Sequence, residues 1–431
     1  MHVHVAQTPA EKPSILAALR SDRRFLAMLG LGFASGVPYP LVYATQSAWL
    51  SDAGVPLKTI GLLSWLTIAY QFKFLWAPFL EKHDPPLLAA LGRRRGWILW
   101  SQAAAMGTLA GVAFGDPAHQ LAWTVAFSLA LGFAGATQDV VIDGWRITVA
   151  PLDKQPVMTS IAETGWRVGN FAAGAGAFYL AHWFGWRTAY LCMAVFLTLG
   201  AASALLAPEP EADKHSRHGH PGFAATVFAP IKEMALRIGP MAVPIFLMVA
   251  GFRLPGYLSN AMAIPLFKQL GYDEAEIATA VKLFGFWVAL GGVALCSLVV
   301  ARLGLRAGLL IGTVAASASH LSLAYLAAQG GHHFPTFALA VSIDGFAASF
   351  ASVVLITYMS SLTSQELAGS QFALLTSLCA LPGHLLAGLS GFWVERLGFQ
   401  HFFEVTALIG LPVAALAWWV LRRRPPQEVA A

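Results

Sequence analysis

Long apolar runs separated by short polar breaks make up most of this chain. Each run is about 20 residues or longer, which at about 1.5 Å per residue lets a helix cross the hydrocarbon core of a bilayer. The pattern therefore predicts an all-α membrane protein with about twelve transmembrane helices. The predicted spans are 25–50, 59–80, 97–115, 121–147, 157–181, 188–207, 240–262, 277–301, 307–328, 336–361, 370–394 and 401–421.

The longest polar break comes after six spans and divides the chain into two halves that repeat polar features. Gly92-Arg-Arg-Arg-Gly96 follows span 2 as Arg302-Leu-Gly-Leu-Arg306 follows span 8. Two related six-helix halves around a cytoplasmic loop are the plan of the major facilitator fold. The predicted domains are a cytoplasmic tail (1–24), an N-terminal bundle (25–207), a cytoplasmic linker (208–239), a C-terminal bundle (240–421) and a second cytoplasmic tail (422–431).

The linker has two parts of different character. Its second part, residues 223–238, mixes apolar and charged side chains, which is typical of a helix lying along a membrane surface. Its first part carries His215, His218 and His220. These three could bind a metal ion, but a solvated linker is the better interpretation, and no metal or cofactor is predicted.

Composition and charge placement agree with a membrane protein. Of 431 residues, 57% are hydrophobic and 11% are charged, whereas about a quarter of the residues in a soluble protein are charged. With both termini in the cytoplasm, 18 Lys and Arg residues lie on the inner side and four on the outer side. Because cytoplasmic loops carry the excess of basic residues, this bias predicts the orientation. It also explains the net charge of +5 without a nucleic-acid partner.

Two acidic residues interrupt span 4. Asp139 and Asp143 are four residues apart, so on a helix they share one face, about 6 Å apart along the axis. A carboxylate in hydrocarbon costs at least a few kcal/mol, so both should face the bundle interior or a water-filled cavity. Lys73 in span 2 has two open interpretations. It either extends to the cytoplasmic interface or pairs with a span 4 carboxylate, which would favour the ionised acid.

Other polar residues inside spans are candidates for a binding site. Glu163 and Arg167 have the i, i+4 spacing of an internal ion pair, and structural pairing and a role in binding both stay open. Arg253 precedes Pro255 and Gly256, where a broken helix would free backbone groups, so it either holds an anion or marks a distortion. Asp344 is the one acid inside span 10. It either lies at a wet outer rim or faces the cavity, and facing the cavity is the favoured interpretation. For His320 and His384, helix packing is the favoured interpretation.

Motifs of soluble enzymes are missing from the sequence. The chain has no P-loop, no glycine fingerprint between a strand and a helix, and no paired CxxC motif. Asp139 and Asp344 lack the sequence context of intramembrane aspartyl proteases. We therefore expect that the protein is not an enzyme.

Several sequence blocks occur in order along nearly the whole chain. The most specific are Gly92-Arg-Arg-Arg-Gly-Trp97 and Ala136-Thr-Gln-Asp-Val-Val-Ile-Asp-Gly-Trp145. Further blocks are Gly32-Phe-Ala-Ser-Gly-Val-Pro38, Phe72-Lys-Phe-Leu-Trp-Ala-Pro78 and Gly369-Ser-Gln-Phe-Ala-Leu-Leu375. Together these blocks resemble the AmpG-type muropeptide permeases of the major facilitator superfamily.

The resemblance implies an importer of N-acetylglucosamine–anhydro-N-acetylmuramyl peptides in the bacterial inner membrane, driven by the proton motive force. Carried over by position, Lys73, Gln138, Asp139, Asp143 and Gln371 would belong to its polar cavity. Arg167 would follow the family's short Gly-Trp/Tyr-Arg pattern. In span 7 this chain has Arg253-Leu-Pro-Gly256 where the family pattern is Arg-Leu-Gly-Asp, so one carboxylate is missing.

These observations assign hypothetical roles to the site residues. Asp139 and Asp143 would be proton-responsive acids with Lys73 as counter-ion, while Gln138, Arg253, Asp344 and Gln371 would contact the cargo. Sugar peptides also need an apolar or aromatic surface, which Tyr39, Tyr43, Tyr70 and Trp145 would supply. The expected partners are a glycopeptide, protons and the lipid bilayer, and a monomer suffices. A siderophore importer is the second candidate function, and a scaffold or sensor without transport is the third.

Overall fold

A computed structural model describes Leu19 and residues 22–42, 44–55, 69–210, 223–387 and 389–423. Tyr43, the outer part of span 2, the three linker histidines and most of both tails lie outside the described residues. All secondary structure in the described part is helical. Its α-helices before the linker are α1 (Arg23–Gly36), α2 (Pro38–Val42), α3 (Ala44–Asp52), α4 (Ala69–Phe72), α5 (Ala77–Lys82), α6 (Arg93–Ala113), α7 (Leu121–Val149), α8 (Gln155–Phe171) and α9 (Ala177–Leu206).

The second part of the chain begins with the helix predicted within the linker. Its helices are α10 (Phe223–Ile238), α11 (Ala242–Phe252), α12 (Leu254–Gln269), α13 (Glu274–Ile277), α14 (Gly285–Ala318), α15 (His320–Gln329), α16 (Phe334–Leu362), α17 (Ala368–Ala387) and α18 (Ser390–Arg423). Short 3-10 segments (Lys73–Leu75, Ala89–Leu91, Leu152–Lys154 and Gly239–Met241) and π-helical segments (Ala172–Gly176 and Ala278–Phe284) connect some of them.

Glycines divide the longest helices at the predicted ends of spans. Gly185 in α9, Gly304 in α14 and Gly398 in α18 have φ values of 80°, 81° and 74°. This left-handed conformation is easy only for glycine, so each of these positions breaks the regular helix.

Eight apolar stretches in the described residues are long enough to cross a membrane. The longest two contain 55 and 51 residues, and each is long enough for two crossings of about 20 residues. α6 has 21 residues but is less apolar, and span 2 is only partly described. The count is therefore compatible with about twelve predicted crossings.

Buried apolar side chains form four clusters that follow the two halves of the chain. Two clusters come from residues before Pro208, with Ala373 as their only later member. The other two come from residues after Phe223, with Ile147 as their only earlier member. Each half thus buries its own core, and Ile147 and Ala373 mark where the halves meet. The limits of the predicted domains stay a prediction.

Close packing joins α1 to α8, the helix that carries the predicted pair of Glu163 and Arg167. A Cβ atom at Gly165 or Gly169 would collide with the backbone of Leu29 or Phe33, so only glycine permits this approach. As a result, Ser35 on α1 and Glu163 and Arg167 on α8 face the same interior space.

Two ends of the bundle can be distinguished. Glu81, Pro208 and Ser364 lie at one end, which we call the Glu81 end. Contacts of Arg94, Glu209 and Gln371 join their loops there. Lys268 lies near the end of α12 at the opposite end, which we call the Lys268 end.

Candidate functional site

A cavity of about 1090 Å³ lies between the two halves. Side chains from α1, α7 and α8 line one side, and side chains from α11, α12, α14, α16 and α17 line the other. At the Glu81 end its lining stops at Arg146, Met359 and Phe372, which are at most 2% exposed. Toward the other end it reaches the exposed Ile264 and Lys268. Its volume is at the upper end of the range for drug-sized ligands.

Asp139 on α7 is held by two partners in the cavity. Its Oδ2 atom lies 3.8 Å from Lys73 Nζ, and its Oδ1 atom accepts a hydrogen bond of 2.5 Å from Ser35 Oγ. The Lys73 and Asp139 side chains are only 10% and 18% exposed. Of the two open interpretations of Lys73, extension to the interface is wrong, because this side chain points inward and pairs with the span 4 acid.

Asp143, one turn further along α7, pairs within its own helix. Its Oδ1 atom is 3.4 Å from Arg146 Nε. The buried Arg146 also donates to Thr159 Oγ1 on α8 (2.9 Å) and to Ser360 Oγ on α16 (3.0 Å). The same guanidinium lies 5.0 Å from the centre of the Phe372 ring. Arg146 therefore links both halves, a role that sequence reasoning missed.

Glu163 and Arg167 form the predicted ion pair on α8, and both line the cavity. The distance from Arg167 Nη2 to Glu163 Oε2 is 3.7 Å, which is too long for a strong hydrogen bond. Their side chains are 16% and 19% exposed. The predicted pairing is thus present, and both side chains also line the cavity, while their role in binding stays a prediction.

Arg253 lies at the predicted break in span 7. α11 ends at Phe252 and α12 begins at Leu254, so the break falls on Arg253 itself. Pro255 follows as the second residue of α12, where its missing N–H is tolerated. The Arg253 guanidinium lines the cavity and donates to Ser352 Oγ on α16.

Asp344 on α16 lines the cavity, as predicted, together with a histidine that the sequence analysis assigned to packing. Its Oδ1 atom accepts a hydrogen bond of 2.8 Å from Ser319 Oγ and lies 3.8 Å from His320 Nε2. His320 is 3% exposed and lines the cavity as well. His320 is thus buried between helices, as the packing interpretation expects, and it also lies beside Asp344 in the cavity lining. The signal for this pair was an acid and a histidine in neighbouring spans. His384 packs against Tyr257, with ring centres 4.6 Å apart.

In the described lining of the cavity, basic side chains with permanent charge outnumber the carboxylates. The described lining contains the carboxylates of Asp139, Asp143, Glu163 and Asp344, and each has a basic side chain within 4.0 Å. The basic side chains with permanent charge are Lys73, Arg146, Arg167, Arg253 and Lys268. This arrangement favours an anionic ligand. No group of three or more His, Cys, Asp or Glu side chains suited to a metal occurs in the described part of the chain.

Four predicted site residues do not line the described cavity: Tyr39, Gln138, Trp145 and Gln371. Gln138 is fully buried, and neither of its amide atoms has a hydrogen-bond partner among the described residues. Trp145 is 1% exposed and donates from Nε1 to the Pro208 carbonyl oxygen at 2.8 Å. Tyr70 does line the cavity, and Tyr39 packs edge-to-face on it, with ring centres 5.4 Å apart. Of the aromatic side chains predicted for cargo, Tyr70 therefore lines the cavity, whereas Tyr39 and Trp145 do not.

Gln371, the fourth such residue, connects α17 to α10. It donates from Nε2 to Glu233 on α10 and to the Pro230 carbonyl oxygen (3.3 Å). Its Oε1 atom accepts hydrogen bonds from Ser364 N (2.7 Å) and Arg237 Nη2 (3.3 Å). Gln371 has no exposed surface, and its hydrogen bonds attach the linker helix α10 to α17 in the second half. The sequence analysis predicted a contact with cargo instead.

The Glu81 end is closed by contacts between the halves. Glu81, directly after span 2, accepts hydrogen bonds from Gly369 N (2.6 Å) and from Ser370 Oγ on α17, and it lies 3.6 Å from Arg94 Nη2. Glu81, Arg94, Ser360, Gly369 and Ser370 are called the closing layer below. Its sequence signal was an acid after span 2 followed by the Gly92–Gly96 block, which had been interpreted as a repeat between halves and as part of the family resemblance, not as a contact between the halves.

Known proteins are similar to this chain along nearly its whole length. The model of the Major Facilitator Superfamily matches residues 24–383 and 245–431. The anhydromuropeptide permease of Escherichia coli K12 is 29% identical over 391 residues, which cover 90% of this chain and 78% of the permease. The AmpG 4 protein of Rickettsia felis is 27% identical over 416 residues, covering 95% and 99%.

Solved structures agree on the fold. The proton:xylose symporter XylE bound to 6-bromo-6-deoxy-D-glucose has a TM-score of 0.69 at 14% identity, covering 92% of this chain and 94% of the symporter. The human organic anion transporter MFSD10 also has a TM-score of 0.69, at 15% identity, covering 94% and 100%. The fold and the AmpG-type resemblance predicted from the sequence are confirmed.

Proposed function

This chain belongs to the Major Facilitator Superfamily, and from that membership we propose that it is a proton-driven importer of anhydromuropeptides. The cargo class follows the name of the Escherichia coli permease. The observation that carries the proposal is the cavity between the halves, with its excess of basic side chains and its paired acids. A disaccharide peptide needs a large cavity with many polar groups, and its carboxylates need cations.

Proton coupling is assigned to the pair of Asp139 and Lys73. The two groups lie on different helical segments, so their attraction holds α7 near the segment Lys73–Leu75. Protonation of Asp139 would remove its charge and with it most of this attraction. Asp143 is the second proton-responsive acid, because its pairing with Arg146 also depends on its charge.

The proposed orientation places both termini and the Glu81 end in the cytoplasm of a bacterium, with the protein in the inner membrane. The bias of Lys and Arg toward these loops supports it. In this orientation the cavity reaches toward the outside while the closing layer separates it from the cytoplasm. Import would require the closing layer to separate after cargo and proton have bound. A monomer provides the complete route.

An uptake assay tests the proposal. The chain is expressed in a strain that lacks its own muropeptide permease, and accumulation of labelled anhydromuropeptide is measured with and without a protonophore. We expect accumulation that the protonophore abolishes. Accumulation of a ferric siderophore instead would assign the chain to the second candidate function. Failure with both cargoes, despite correct membrane insertion, would contradict import and favour a scaffold or sensor.

A further inference from the structure

Arg253 differs from the other arginines of the cavity in its partners. Arg146 and Arg167 each lie within 4.0 Å of a carboxylate. Among the described residues, no carboxylate lies that close to the Arg253 guanidinium, whose contacts are with the hydroxyl groups of Ser352 and Tyr257. A guanidinium has five N–H donors and binds carboxylates through two parallel hydrogen bonds. Arg253 therefore has charge and donors available to a ligand in the cavity.

Arg167 faces the same space from the other half of the protein. Its contact with Glu163 is a single long one of 3.7 Å, and its Nε atom is buried without a hydrogen-bond partner among the described residues. Arg167 and Glu163 on α8 and Arg253 at the α11–α12 break all line the same cavity. Two cations that face one cavity, with one anion held at 3.7 Å from Arg167, form a site where a second anion is favoured.

We propose that Arg253 and Arg167 bind a carboxylate of the cargo between them. This inference rests on the proposed function and names the part of the glycopeptide that the cavity recognises: an acidic group of its peptide. Because Arg253 lies at the α11–α12 break and Arg167 lies on α8, the bound carboxylate connects the two halves. Glu163 is then a place-holder, which partly neutralises Arg167 in the empty cavity and competes with the cargo for it.

Substitution of Arg253 tests this site with two forms of one cargo. Binding of the labelled anhydromuropeptide is measured on the purified protein, and so is binding of the same molecule with its carboxyl groups converted to amides. The Arg253→Gln variant should bind the acidic form about 10- to 100-fold more weakly, as expected for loss of a hydrogen bond between charged groups. Its binding of the amide form should change about 3-fold or less, within the worth of a neutral hydrogen bond.

Arg187→Gln is the matched control, because Arg187 lies outside the cavity and contacts the Phe114 ring. It should bind both forms as the unchanged protein does. Arg253→Lys keeps the charge but not the paired donors, so it should bind the acidic form with intermediate strength. Equal weakening of both forms in Arg253→Gln, or no weakening, would overturn the carboxylate site.

Glu163→Gln provides an independent test with the opposite sign. Without its competing carboxylate, the site should bind the acidic form more tightly, by about 2- to 5-fold for an ion pair that is partly exposed. Binding of the amide form should not tighten. Weaker binding of the acidic form in Glu163→Gln would overturn the place-holder role. If the unchanged protein bound neither form, the proposed function itself would fail, an outcome that differs from a selective failure at Arg253.

Discussion

The central cavity and the closing layer use the same kinds of charged residue in opposite ways. In the cavity, the pairs Lys73–Asp139, Arg146–Asp143 and Arg167–Glu163 are 3.4 to 3.8 Å apart, and their acids are 16% to 26% exposed. In the closing layer, the Glu81 and Arg94 side chains are 1% and 3% exposed. Glu81 is further held by the backbone of Gly369 at 2.6 Å and by Ser370.

The difference follows from desolvation. A carboxylate removed from water must receive several hydrogen bonds to offset that loss, and Glu81 receives them from the other half of the protein. The acids of the cavity keep some contact with solvent, so they tolerate pairs of 3.4 to 3.8 Å, and we propose that a proton or a cargo group can replace these partners. Since Arg94 and Glu81 are also 3.6 Å apart, the two regions differ in solvent contact and in the hydrogen bonds that come from the other half, not in the ion-pair distance.

The largest effect is expected from neutralising Asp139, an acid of the cavity that keeps contact with solvent. Asp139→Asn should leave an internal cargo concentration no higher than the external one, because the side chain can no longer exchange a proton with its surroundings. Accumulation of labelled anhydromuropeptide in proteoliposomes with an imposed proton gradient measures this. Asp116→Asn, an exposed acid paired with His119, is the control and should accumulate cargo normally. Concentrative uptake by Asp139→Asn would contradict the distinction.

Arg146 belongs to both regions, so its removal should affect stability and transport together. Arg146→Met leaves Asp143 without its cation and breaks the hydrogen bonds to Thr159 and Ser360. Loss of one partner of a buried pair costs about 3–5 kcal/mol, which should appear as a clear fall in Tm of the purified protein. Arg187→Met is the control. An unchanged Tm would show that Arg146 does not hold the halves together.

Weakening the closing layer should open the Glu81 end. Glu81→Ala removes the acceptor of Gly369 and Ser370, so the cavity should become accessible from that end. In a background with Cys192, Cys296 and Cys379 replaced by serine, Thr376→Cys places a thiol in the cavity lining. Its alkylation from the cytoplasmic side of inverted vesicles should accelerate several-fold with Glu81→Ala. The exposed Glu366 at the same end is the control residue, and equal acceleration by Glu366→Ala would refute the role of Glu81.

A smaller effect is expected at Gln371, where the structure and the sequence analysis differ. Gln371→Ala removes the hydrogen bond that Glu233 accepts from the Gln371 amide and the one that the Ser364 backbone N–H donates to it. We expect a loss of stability of about 1–3 kcal/mol with an unchanged KM for cargo, measured by thermal unfolding and uptake. A raised KM at unchanged stability would instead support the contact with cargo that the family resemblance implies.

Much of the site could be predicted because polar residues in apolar helices are conspicuous. Asp139, Asp143, Lys73, Arg167, Arg253 and Asp344 stood out in the sequence, and all of them line the cavity. Their partners were harder to find. Pairing within one helix follows from spacing, as for Glu163 and Arg167, but Lys73 and Asp139 meet only through the packing of separate helices.

Polar residues of the closing layer and of the α10 attachment could not be distinguished from cargo ligands. Gln138, Trp145 and Gln371 are as unusual in an apolar helix as Asp139 is, yet all three lie outside the described cavity lining. Which side of a helix faces the cavity depends on how the two halves pack, and the spacing of residues within one helix does not determine that packing. The contact between His320 and Asp344 was missed for the same reason, since the two residues lie on different helices.

Protection of a single thiol by cargo tests most directly that cargo occupies this cavity. Asn260 is exposed and lines the cavity on α12, whereas Gln269, also exposed on that helix, does not line it. In the background without native cysteines, Asn260→Cys and Gln269→Cys are alkylated from the outside with and without anhydromuropeptide. Cargo should slow alkylation at position 260 and leave position 269 unaffected. Equal rates at position 260 with and without saturating cargo would contradict the assignment of the cavity as the binding site.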